Sequence, residues 1–247
     1  MQKISLSNKI YLLLIIILAI LSALNVFLPQ GDFLAVQEIE VSKTVLASGI
    51  AALMLILYGG LGYFGLKLSK KIAFADIWDS KVSNKERFLF PALIGIFLGI
   101  IFIILDLILT QFHTLGSIPH PPFPTSIIAS ATAAIGEEII YRLFFISFWV
   151  WLISNLILKR KRRNKVFWII TLFSALLFAS AHLPSIIALY GLNTLREIPF
   201  AIILEIFILN GLLSISAAYY LRKFGLLAAV GIHFWADIVW HVLWGLF

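Results

Sequence analysis

The chain has 247 residues, of which 62% are hydrophobic and only 13% charged. That apolar share exceeds what the core of a soluble domain of this length can absorb, so residues 1–247 are expected to form one integral membrane domain. The absence of cysteine excludes disulfides, thiolate nucleophiles and thiolate metal ligands. The net charge of +7 sits in short loops between apolar runs, which speaks for membrane orientation and against nucleic acid.

In chain order, apolar runs predict spans at 10–29, 44–66, 88–110, 126–157, 166–184, 199–221 and 226–246. The expected fold class is an all-α polytopic transmembrane helix bundle with seven spans. An eighth is expected if the stretch SIIALYGLNTLRE, 185–197, forms a re-entrant or additional helix. The first run follows only Lys3 and Lys9 and lacks a small-residue cleavage site, so it reads as a retained anchor. Of the 19 Lys and Arg residues, 16 fall at one side of this arrangement. Only Lys43 and Arg196 fall opposite, and Arg142 lies within a span. This asymmetry predicts a cytoplasmic N-terminus and an external C-terminus. The external stretch GSIPHPPFPT, 116–125, holds four prolines and reads as an extended loop before the fourth helix. No internal repeat of the transporter kind is visible.

Ionisable groups inside hydrocarbon are costly unless paired or set at a wet cavity, so each one within a span is a functional candidate. The fourth span contains GEEIIYR, where Glu138 and Arg142 share a helix face and Glu137 points about 100° away. One Glu can pair with Arg142, which leaves Glu137 to take a proton from water as a general base. The alternative is that both carboxylates neutralise Arg142 and lock helix packing. The fifth span ends in FASAHLP, with Phe178 and His182 on one face and Pro184 expected to close the helix. In the seventh, HFWADIVWH sets His233, Asp237 and His241 on one stripe. His233 and Asp237 can hold a divalent metal or polarise a carbonyl, and His241, between Trp240 and Trp244, is expected at the membrane interface. Counting from the inner ends puts His182 near the outer edge and His233 nearer the middle, so the three helices must tilt or break for these groups to meet. For Asp106 and Glu205, packing or supporting roles are expected. No His-Glu-x-x-His helix, Gly-x-Ser-x-Gly elbow or phosphate loop is present.

The three motifs resemble those of the CPBP family, the CAAX protease and bacteriocin-processing (Abi) membrane peptidases. The family pattern is Glu-Glu-x-x-x-Arg, then Phe-x-x-x-His, then His-x-x-x-Asn or Asp, each on its own helix. Here it reads Glu137, Glu138, Arg142; Phe178, His182; His233, Asp237. The resemblance covers about 134–240, within a motif-bearing core of about 126–247. It implies an intramembrane endopeptidase in which Glu137 activates water and Glu138 pairs with Arg142. His182, His233 and Asp237 would stabilise an oxyanion or bind a divalent metal, zinc by the character of its ligands. Asp237 occupies a position that is Asn in the eukaryotic prenyl-protein endopeptidases, which tilts the site toward metal binding or an orienting role, because a carboxylate donates no hydrogen bond unless protonated. The implied partners are the lipid bilayer and a membrane-associated peptide or protein substrate, either prenylated or a leader peptide, in a bacterial cell membrane. Other readings are a non-catalytic membrane regulator, a bacteriocin self-immunity protein, or a proton-coupled transporter using Asp106, Glu205 and Glu137.

Overall fold

The computed structural model describes residues 5–31 and 41–247, and within them seven helices are long and apolar enough to cross a bilayer. They are α1 (Leu6–Asn25), α2 (Lys43–Lys71), α3 (Lys85–Phe112), α4 (Thr125–Ile157), α5 (Arg163–Ser180) with its short continuation α6 (Leu183–Leu189), α7 (Phe200–Phe224) and α8 (Leu226–Leu246). The all-α, seven-span expectation holds. The stretch after Ser185 does not add an eighth. Its seven-residue α6 covers about 10 Å at 1.5 Å per residue, against a hydrocarbon thickness of roughly 30 Å.

Helix ends differ from the limits of the apolar runs where polar side chains satisfy the terminal turns. The hydroxyl of Ser5 accepts from Asn8 N at 3.3 Å, so α1 begins ahead of its apolar run. α2 continues past its apolar run to Lys71, and its last lysines find partners there. Lys67 lies 4.5 Å over the Tyr63 ring, Lys70 pairs with Asp76 at 2.9 Å, and Lys71 reaches the Trp151 ring. Pro184 does not close the fifth span. The helix already ends at Ser180, and Pro184 sits in the first turn of α6, where its missing N–H is not needed. A single residue, Gly225, joins α7 to α8 with φ +88°, and a Cβ there would press into the Asp76 carbonyl.

Small residues set the closest helix approaches. Gly95 and Gly99 of α3 face Ile232, Ala236 and Val239 of α8, and Gly65 of α2 lies against the Leu143–Phe144 backbone of α4. Two buried apolar clusters result. One, with Leu66, Ile139, Leu143, Phe167, Leu221 and Leu226, fills the end of the bundle that carries the basic loops. The other, with Phe102, Ile118, Phe178, Leu209 and Trp240, surrounds the opposite half. Lys3, one of the basic residues counted for orientation, lies outside the described residues.

Candidate active site

α4 delivers two carboxylates in different surroundings. From Glu138 to Ile146 its turns widen to the π type, and this segment holds Glu138 and Arg142, both with fully buried side chains. Glu138 Oε2 stands 3.4 Å from Arg142 Nε, and its other oxygen accepts a hydrogen bond from His233 Nδ1 at 2.9 Å. Glu137, one residue earlier, keeps a third of its side chain exposed, and its Oε2 lies 3.7 Å from His233 Nε2. Glu138 is held between a guanidinium and an imidazole, whereas Glu137 stands a third exposed beside the other face of the same imidazole.

α5 supplies Phe178 and His182. The guanidinium of Arg142 lies 4.0 Å over the Phe178 ring, a cation–π contact that shares the buried charge with Glu138. The same ring meets His182 edge-on at 4.9 Å and His233 at 6.0 Å, so it touches one member of each motif. Sequence reading placed Phe178 only as a face-mate of His182. Its contact with Arg142, 36 positions away, has no local signature. His182 caps α6 at the break after Ser180, and its Nδ1 donates to the Phe178 carbonyl at 2.8 Å. The fifth span is thus broken between Ser180 and Leu183, beside His182.

α8 brings His233 and Asp237, with His233 Nε2 3.5 Å from Asp237 Oδ2. In both histidines Nδ1 is committed to an acceptor, the Phe178 carbonyl in one and the Glu138 carboxylate in the other, so Nε2 is the atom left to act. Glu137, His182, His233 and Asp237 all line one cavity of about 320 Å³. Its remaining wall is mostly apolar and includes Phe102, Ile118, Leu189, Ile206, Leu209 and Trp240. Glu138 and Arg142 lie behind this wall rather than on it.

Two imidazoles present Nε2 with Nδ1 hydrogen-bonded behind it, the arrangement that orients histidine ligands, and carboxylates stand beside the Nε2 of His233.

His241, expected at the membrane interface, lines the cavity wall near the end of α8, where the proline-rich loop sets His120 Nδ1 3.1 Å from His241 Nδ1. Burial pushes the His120 imidazole down to about 4, with Asp106 opposing, so the pair is linked by a neutral N–H donating to a lone pair. Asp106 and Glu205 are fully buried off the cavity. Asp106 Oδ1 accepts from Ile118 N at 3.3 Å and so ties the loop to α3, whereas the Glu205 oxygens have no partner among the described residues.

All of these groups except Asp106 lie within or beside one compared segment. The sequence model of one family, described as type II CAAX prenyl endopeptidase Rce1-like, matches residues 119–239. Comparison with curated proteins and with solved structures finds no match. Over just under half of its length, from the proline-rich loop to α8, the chain is therefore similar to a CAAX-protease-type family of membrane peptidases.

Proposed function

We propose that this protein is an intramembrane endopeptidase of the CAAX-protease type that hydrolyses a peptide bond in a membrane-associated substrate, prenylated or a leader peptide, with a water activated by Glu137. The observation that carries the reading is the contrast within one dipeptide: Glu137 is a third exposed on the cavity wall beside His233, and Glu138 is fully buried against Arg142. Glu137 takes a proton from a cavity water, the resulting hydroxide adds to the scissile carbonyl, and the proton passes to the departing amine as the tetrahedral adduct collapses. The Nε2 positions of His182 and His233 face the developing oxyanion and stabilise it as donors when protonated. Asp237 orients His233 from one side and Glu138 from the other. A divalent metal, zinc by its donors, would be held by His182, His233 and Asp237, and when bound would acidify water and polarise the carbonyl.

The test is substitution. Glu137→Ala, His182→Ala and His233→Ala are each expected to abolish peptide cleavage by protein that still inserts into membranes, and retained cleavage in all three would sink the reading. Full activity after exhaustive chelation, with no metal found by elemental analysis, would remove the metal from it.

A further inference from the structure

The cavity and the basic loops occupy opposite ends of the bundle. One end of the cavity wall comes from Pro119 and Pro121 of the loop between α3 and α4, Ser185 and Leu189 of α6, and Trp240 and His241 near the end of α8. All lie where α3, α5 and α8 finish and where α4 and α7 begin. The basic residues cluster where those helices have their other ends: Lys67, Lys70 and Lys71 finishing α2, the run 159–165 joining α4 to α5, and Arg222 and Lys223 finishing α7.

Passage from the basic end is blocked. Between it and His233 stand Ile139, Leu143, Phe167, Leu221, Leu226 and Ala229, each no more than 1% exposed. Exposure along α4 falls in the same direction. Glu137, nearer the proline-rich loop, is a third open, and Glu138 and Arg142, further toward the basic end, are closed. Positive charge marks the cytoplasmic side of membrane proteins, because Lys- and Arg-rich short loops resist translocation.

We infer that the cavity opens on the face of the membrane away from the cytoplasm and takes its substrate from the outer leaflet, as an exported apolar peptide segment. The substrate clause rests on the peptidase reading above, whereas the sidedness does not. Apart from the candidate site residues and His241, the wall is built mainly from apolar side chains such as Phe102, Leu189, Ile206 and Leu209. It accepts uncharged residues on either side of the scissile bond, since an unpaired charge would be stranded there.

The chain's lack of cysteine makes the test direct. Single variants Thr114→Cys, Ser185→Cys and Lys161→Cys, all at exposed positions, are expressed and treated in intact cells with a membrane-impermeant maleimide, then again after permeabilisation. Thr114→Cys and Ser185→Cys are expected to react before permeabilisation and Lys161→Cys only after it. Any other pattern overturns the inference, including labelling of Lys161→Cys in intact cells. Right-side-out vesicles of the parent chain are then given a soluble, lysine-tagged peptide with an apolar centre, and they are expected to cleave it where inverted vesicles do not. Correct labelling with no cleavage in either orientation overturns the peptidase reading and leaves the sidedness standing, and cleavage by inverted vesicles alone overturns the sidedness.

Discussion

Glu138 Oε1 accepts the Nδ1 proton of His233 at 2.9 Å, so α4 and α8 are joined by one buried hydrogen bond between residues 95 positions apart. The same carboxylate answers the charge of Arg142. Glu138 thus holds both the buried guanidinium beside the site and the imidazole that faces the cavity.

The two glutamates should separate stability from activity. Glu138→Gln leaves the Arg142 charge buried without its counter-charge and is expected to destabilise the protein by about 3–5 kcal/mol. Glu137→Gln, on the open wall, is expected to change stability by less than about 0.5 kcal/mol. It should nevertheless slow cleavage by roughly 10²–10⁴-fold. Thermal melting in detergent beside a cleavage assay checks both, and equal melting losses would dissolve the assigned division.

Phe178 is expected to matter more than its apolar character suggests. Phe178→Leu keeps a hydrophobic side chain but removes the face on which Arg142 rests 4.0 Å away, a desolvated cation–π contact worth about 2 kcal/mol. A lowered Tm together with a lowered kcat, the latter because His182 and His233 pack edge-on to the same ring, is the predicted result. An unchanged Tm would show that the guanidinium is held by Glu138 alone.

Helix approach at α3 and α8 can be tested with two alanines. At Gly99 a Cβ would collide with Val239 and the Ala236 carbonyl, so Gly99→Ala is expected to cost about 1–3 kcal/mol through overpacking. At Gly49, within α2, nothing lies within 4 Å, and Gly49→Ala is expected to stabilise by about 0.5–1 kcal/mol through helix propensity. Melting curves for the pair distinguish a true close approach from a general intolerance of substitution.

The loop over the cavity should be acid-sensitive. Because His120 is held to about 4 in the fold, below its ordinary value near 6.5, the unfolded chain takes up the proton first as pH falls. The stability from its neutral burial is complete above about pH 6.5 and is lost as pH falls toward about 4, a change on the order of 3 kcal/mol at most. His120→Asn is expected to flatten the decline of Tm over that window, and a decline as steep as in the parent chain would show that other groups govern it.

The helices and the motifs were legible for a shared reason: both are local. A run of apolar residues long enough to span is recognisable whatever surrounds it, and spacings of four put Glu138 with Arg142, Phe178 with His182, and His233 with Asp237 wherever the helix goes. The need for a tilt or a break followed from counting residues per turn, but its place in the fifth span did not. The retained lysines at the end of α2 and the position of Pro184 were misjudged because hydropathy does not see side-chain partners or first-turn geometry.

Sequence by itself therefore determined the seven long apolar helices found among the described residues, which ionisable side chains fall within them, and which of those share a helix face. Tertiary structure alone decided that Glu138 hydrogen-bonds Nδ1 of His233 while Glu137 stands near its Nε2, that Arg142 rests on Phe178, and that His241 meets His120 on the cavity wall. It also placed the cavity at the end away from the basic loops. These outcomes depend on where α5 breaks and how closely the glycines of α2 and α3 let neighbouring helices approach. Both bring together residues tens to over a hundred positions apart, and no pattern within one helix encodes such a distance.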